Sequence, residues 1–193
     1  MIIKYLLNNH YRPVLYKKGT VIYEPGLQPK AVYFIKSGEV RMVTVNDDGK
    51  EFIQGIFKAN QYFGEPALMI DKPYLAYTIV SRDAEIITVD KAQFFELLDE
   101  ERSFSLEMIK TLSDRLFYKS MMLEELANEQ AEHRVVTLIN YLLKNIEKNA
   151  VLDITRQHLA DMSGLRVETV IRIVKKLAAE KALKLRKGKI VKI

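Results

Sequence analysis

At Asp90 the chain changes its period. Upstream, between residues 14 and 90, short runs rich in β-branched and aromatic residues alternate with Gly, Pro or Asp turns. Val21-Ile22-Tyr23 precedes Pro25-Gly26, Val32 to Ile35 precedes Ser37-Gly38, and Val40 to Val45 runs into Asn46-Asp47-Asp48-Gly49. The Asp-Gly pair tolerates positive φ and marks a hairpin. Phe52 to Phe57, Tyr77 to Val80 and Glu85 to Val89 continue the pattern. Seven or eight short strands predict an antiparallel sandwich, jelly roll or barrel, not a parallel α/β sheet.

Downstream the apolar step becomes three or four. Lys91 to Asp99 predicts a short helix, and Ser103 to Ala127 contains neither Gly nor Pro. Within that stretch Ile109, Leu112, Leu116, Leu123 and Leu126 form a heptad seam, with Lys119 on the missing rung. Such a helix can pack on its own β domain or pair with a second copy. Its place between two domains, flanked by Glu and Lys, favours a homodimer. Asn128 to Glu132 is polar and reads as a hinge. His133 to Lys148 predicts a helix burying Val136, Ile139, Leu142 and Leu143.

Thr155 to Leu177 has the make-up of a helix-turn-helix. Thr155 can cap the first helix, Ala160 is small where two helices cross, and Gly164 can take the positive φ of the turn. Val170, Ile173 and Leu177 bury the second helix, which turns Arg166, Glu168, Arg172 and Lys175 outward. Leu183 to Leu185, the Lys187-Gly188 turn and Lys189 to Ile193 predict a basic hairpin, or wing. These offsets together point to DNA binding.

Charge is segregated in the same sense. The whole chain carries a formal +5, but residues 129–193 hold 14 Lys+Arg against 7 Asp+Glu, while the first 128 hold 16 against 18. A basic segment set apart in this way is the footprint of a nucleic-acid-binding domain. There is no cysteine, which removes disulfides, thiol catalysis and cysteine-ligated zinc or iron–sulfur clusters. No apolar run approaches the ~20 residues of a membrane helix and no signal-peptide layout opens the chain, so a cytoplasmic location is expected. No nucleophile-elbow, Walker or HExxH spacing occurs, so an enzyme is not expected.

The chain resembles the cyclic-AMP receptor protein/FNR family of bacterial transcription regulators. Ile154-Thr155-Arg156-Gln157, Gly164, Glu168-Thr169-Val170 and Arg172 match its winged helix. Gly38-Glu39-Val40, Asp48-Gly49 and Phe63-Gly64-Glu65-Pro66-Ala67-Leu68 resemble its effector domain. The resemblance implies an α+β chain of three parts. These are an N-terminal antiparallel β-roll (a jelly-roll-like, cyclic-nucleotide-binding-like domain, 1–102), a dimerisation helix (103–128) and a winged helix-turn-helix (129–193). It implies double-stranded DNA, a second copy of the chain and RNA polymerase as partners. Arg166, Val167, Glu168 and Arg172 match its base-reading positions, and Thr155, Arg156, Lys175, Lys187 and Lys189 would hold phosphates. Val167 stands where cyclic-AMP-type members carry an arginine, so at least one base pair per half-site should differ.

The family's cyclic-nucleotide pocket pairs Gly-Glu with Arg-Ser/Thr-Ala. Gly64, Glu65 and Ala76 are present, but Tyr74 and Leu75 replace the Arg and the Ser/Thr. The phosphate thereby loses a charge-assisted partner worth about 1.5–3 kcal/mol, and ordinary cyclic-AMP binding is not expected. No cofactor is assigned, and the effector is open. An FNR-like cluster lacks its cysteines, and His10, His133 and His158 are too scattered for a haem sensor. Lys119 and Ser120 match the positions facing the nucleotide base. Lys119 could point into the effector cavity, binding another anion or filling the site, or could reach solvent beside Glu124. Glu65 could bind a ligand or tie down its own loop. A cyclic-nucleotide or small-anion sensor with an atypical pocket therefore stays open as the alternative.

Overall fold

The alternating runs pair antiparallel throughout, as their turn chemistry requires. A computed structural model describes residues 2–127, 130–144 and 146–192. The expected hinge residues Asn128 and Glu129 lie outside the described residues, as do Asn145 and Ile193. Two compact units are present, Met1–Lys110 and Thr111–Ile193. The boundary falls inside the long helix, where the sequence suggested a separate helical segment.

The first unit comprises α1 (Ile2–Asn8), β1 (Val14–Tyr16), β2 (Val21–Tyr23), β3 (Ala31–Val45), β4 (Glu51–Lys58), β5 (Tyr62–Phe63), α2 (Glu65–Met69), β6 (Tyr77–Asp90), α3 (Lys91–Glu100) and the start of α4 (Arg102–Ala127). The sheet runs β1-β6-β3-β4, with β2 also on β6 and β5 on β3. Asn46 to Lys50 closes the β3–β4 hairpin, with Gly49 at φ 76°. Asp90 caps α3 by accepting from the Gln93 N–H at 2.9 Å.

Two breaks expected from the sequence are absent. Ser37-Gly38 does not end a strand, and β6 runs unbroken from Tyr77 to Asp90. Gly38 instead sits in a series of register shifts between β3 and β6, at φ 91°. A Cβ there would lie 2.2 Å from the Asp83 carbonyl oxygen, so only glycine lets the two backbones meet. Beside the bend the buried Glu39 carboxylate accepts from Ser81 Oγ at 2.8 Å and Arg82 Nη2 at 2.5 Å. Burial alone would raise its pKa; the Arg82 and Ser81 bonds, with the Arg82 and Lys58 charges, outweigh it and lower it.

The first turns of α4 belong to this unit. Phe104 and Met108 are buried, and the Phe104 ring lies 5.8 Å from both Phe34 and Tyr62. A buried Phe is worth about 1.5–3 kcal/mol.

The second unit continues α4 and adds α5 (Ala131–Leu143), α6 (Arg156–Ser163), α7 (Val167–Ala179), β7 (Lys184–Arg186) and β8 (Lys189–Val191). The α5 helix stops five residues short of the expected Lys148. Its buried face is Val135, Leu138 and Ile139, while Val136, Leu142 and Leu143 are only half-buried. Six apolar residues on two neighbouring faces allow either choice, and packing selects the other one. No described helix is long and apolar enough to cross a membrane.

Candidate nucleic-acid interface

The reading head is assembled from local signals. The Thr155 Oγ1 accepts from the His158 N–H at 3.0 Å and opens α6. Gly164 closes it at φ 70°, its N–H returning to the Ala160 carbonyl. Ala160 is fully buried, as close helix crossing requires. Ser163, also fully buried, donates its hydroxyl to the Leu159 carbonyl at 2.7 Å, and the buried Asp161 accepts from Gln157 Nε2 at 2.8 Å.

Arg166 is the N-cap residue of α7, and Val170, Ile173, Val174 and Leu177 bury one face. Arg166, Glu168, Arg172 and Lys175 are exposed, with 168, 172 and 175 one above another on the solvent side. Val167 is half-buried at the first turn. Beside this face Lys176, one turn after Arg172, is tied to Glu132 of α5 at 2.8 Å.

In the wing, Lys187 (φ 49°) and Gly188 (φ 78°) make the two-residue turn between β7 and β8. The base of β8 is stitched to the segment before α6. Leu152 N–H donates to the Ile190 carbonyl at 2.8 Å and Asn149 N–H to the Lys192 carbonyl at 2.9 Å. The tip is held by Arg156, whose Nη2 donates to the Gly188 carbonyl at 2.8 Å. Arg156 thus spends one of its donors on the wing and is half-buried, and that burial lowers its pKa. Lys189 lies 3.7 Å from Asp153, and Lys187 is exposed. The sequence pattern missed the Arg156–Gly188 link, because 32 residues separate the partners.

The residues matched to an effector pocket fall in both units, Gly64, Glu65, Tyr74 and Leu75 in the first and Lys119 and Ser120 in the second. Gly64 takes φ 95° ahead of α2, and Glu65, in the first turn, is fully buried. Tyr74 points inward and is 5% exposed, its ring stacked on Tyr23 at 3.6 Å and 6°. Around it Tyr33 and Phe63 stack at 5.1 Å, Phe57 lies 5.7 Å from Phe63, and Ile35, Val80 and Ile86 complete the core. Burial above all, then the neighbouring Tyr33 and Tyr23, pushes the Tyr74 hydroxyl well above the usual tyrosine value. Leu75 is 84% exposed, between the buried Tyr74 and Ala76. Lys119 and Ser120 lie in the second unit, exposed along α4. The Ser120 hydroxyl bonds back to the Leu116 carbonyl at 3.0 Å.

Along α4, Ile109, Leu116, Leu123 and Leu126 of the seam are 44–69% exposed, and Leu112 is half-buried. Leu106 and Phe117 widen this apolar stripe beyond the expected positions.

Residues 13–101 match the family model described as the cyclic nucleotide-binding domain, and residues 133–193 match the Crp-like helix-turn-helix domain. The chain is 24% identical to the global nitrogen regulator of Nostoc sp., covering 98% of this chain and 89% of that protein. It is 25% identical to the cyclic AMP receptor protein of Thermus thermophilus, over 93% and 83% of the two chains. Among solved structures, the c-di-GMP-responsive global regulator CLP of Xanthomonas campestris superposes with a TM-score of 0.73, at 25% identity and 98% and 96% coverage. A CooA mutant from Carboxydothermus hydrogenoformans superposes at 0.80, with 21% identity and 97% and 85% coverage.

Proposed function

This chain belongs to the CRP/FNR family of transcription regulators and carries its DNA-binding helix-turn-helix, and from that premise we propose that it reads a palindromic operator as a homodimer, without cyclic AMP. The observation that carries the reading is the solvent face of α7, where Arg166, Glu168, Arg172 and Lys175 stand exposed above a buried apolar face. Glu168 would accept from a cytosine amino group, Arg172 and Arg166 would donate to guanine or phosphate, and Val167 would meet a thymine methyl. Thr155, Lys175, Lys187 and Lys189 would hold the phosphate backbone, with Arg156 setting the wing that presents two of them.

The apolar stripe of α4 supports the dimer, since a contiguous exposed patch of leucines, Ile109 and Phe117 calls for a partner. Two heads on one seam would meet successive major grooves, one helical turn apart. RNA polymerase and a cytoplasmic location complete the proposal.

The Tyr74–Tyr23 stack supports operation without cyclic AMP. The position matching the phosphate-binding arginine holds a neutral ring already packed against its own core. Lys119 favours the second reading, a sensor of another small anion, because it puts an ammonium on the seam helix.

Selection of random duplexes by purified protein tests the first reading. A two-fold palindrome enriched without added effector is expected, with affinity falling steeply as salt rises. Enrichment of no sequence would overturn it. Calorimetry with cyclic AMP, cyclic GMP and c-di-GMP, the last because CLP responds to it, should show no heat. Heat together with a changed DNA affinity would establish the sensor reading instead.

A further inference from the structure

The end of α4 and the start of α5 are joined by a set of bonds that the DNA-reading face does not use. Glu125, in the last turn of α4, is 6% exposed. Its carboxylate accepts from Thr137 Oγ1 and meets His133 Nδ1, each at 2.8 Å. Arg134 of α5 donates Nε to the Glu125 carbonyl at 3.1 Å, and its Nη1 donates to the Ser163 carbonyl, also at 3.1 Å. One turn further back along α4 Met122 is buried, and Tyr118 stacks on Tyr141 at 3.9 Å and 20°.

Both carbonyls taken by Arg134 sit in the last turn of a helix, where the backbone oxygens have no intrahelical donor and the helix dipole is negative. One guanidinium therefore satisfies an orphan carbonyl on α4 and another on α6, right before the Gly164 turn that aims α7. A planar fork can do this in a way that a lysine's single ammonium cannot. The path from seam to reading helix thus runs α4, Arg134, α6, turn, α7, with Glu125 holding Arg134's own helix through His133 and Thr137.

We propose that this clasp transfers the register of the α4 seam to the reading helix, making Arg134 and Glu125 positioning residues that set the permitted spacing between operator half-sites. The inference rests on the homodimeric DNA-binding reading above. Lengthening an operator by one base pair moves the second half-site by about 3.4 Å and turns it by about 36°. A clasped head cannot follow that move, whereas a head tied by chain connectivity alone can swivel to it.

The test measures binding to the selected operator, to versions one base pair longer and shorter, and to an isolated half-site. Wild-type protein, Arg134→Met, Arg134→Lys and Glu125→Gln are compared. Charge-assisted bonds are each worth about ten- to a hundredfold, so wild type should favour its own spacing by about tenfold or more. Both Arg134 variants should bring the preference below about threefold, by binding the altered operators better, while half-site affinity and dimer mass stay unchanged. Glu125→Gln should give a smaller loss in the same direction, because the amide can still meet Thr137. Preference retained in both Arg134 variants would overturn the proposal, as would a wild type indifferent to spacing. A parallel loss of half-site affinity would also overturn it, since Arg134 would then only hold the head together. A wild type that binds no duplex at all would refute the DNA-binding reading itself.

Discussion

Tyr74→Ala separates a packed roll from a ligand-ready one. The ring is 5% exposed and lies flat on Tyr23 at 3.6 Å, inside a core with Ile35, Phe63, Val80 and Ile86. Removing a fully packed aromatic side chain costs about 3–5 kcal/mol, of which about 0.5–1.5 is specific to the ring–ring contact. The hydroxyl adds about 1 kcal/mol at most, from a long 3.4 Å bond to the Ala31 carbonyl and a side-chain bond with Tyr33. For a chain of this size each kcal/mol moves the melting temperature by about 2–4 °C, so the expected fall is about 6–20 °C. Tyr74→Phe keeps the stack and should melt within about 3 °C of wild type. Differential scanning calorimetry reads both values. A Tyr74→Ala melting point within about 3 °C of wild type would refute the reasoning, for the ring would then border a hydrated cavity and the ligand reading would reopen.

Three further outcomes follow from the same geometry. Replacing Lys187 and Lys189 by Ala removes four phosphate contacts per dimer and should flatten the slope of log affinity against log salt by about 3.6. Adding Arg156→Met to that pair should change the slope by less than one unit, whereas a further fall of about 1.8 would give Arg156 phosphate contacts of its own. Leu116→Glu with Leu123→Glu puts like charges on the exposed α4 stripe and should yield monomers in sedimentation equilibrium; a persisting dimer would place the interface elsewhere. Glu39 has a folded pKa below its ordinary 4.5, so its contribution is full above that value and is lost as pH falls through the lowered one. Urea midpoints measured from about pH 6 to pH 3 should therefore drop less steeply in Glu39→Gln than in wild type, and parallel curves would remove Glu39 from the acid response.

What the residues announced, they announced locally. Thr155, Gly49 and Gly164 each solve a backbone problem within four residues, so capping and turn chemistry alone place them. The exposed face of α7 was legible for a related reason, since a helix with one apolar stripe has only one way to lie. Where two solutions were equally open, the pattern failed. Gly38 needs positive φ in a turn and in a bulge alike, and only the approach of the Asp83 backbone distinguishes them. The α5 helix offered two adjoining apolar faces, and burial chose Val135, Leu138 and Ile139.

Sequence by itself determined that a basic helix-turn-helix with a wing follows an antiparallel β domain and a long seam helix, because periodicity, caps and charge are properties of neighbouring residues. Tertiary structure alone decided what the side chains do at a distance. It turned Tyr74 into core and Leu75 outward, set Arg156 on the wing turn, and joined Arg134 to two helix ends. Each of those pairings spans residues that the chain separates and only the fold brings within about 3–4 Å, the range in which hydrogen bonds and ring contacts act.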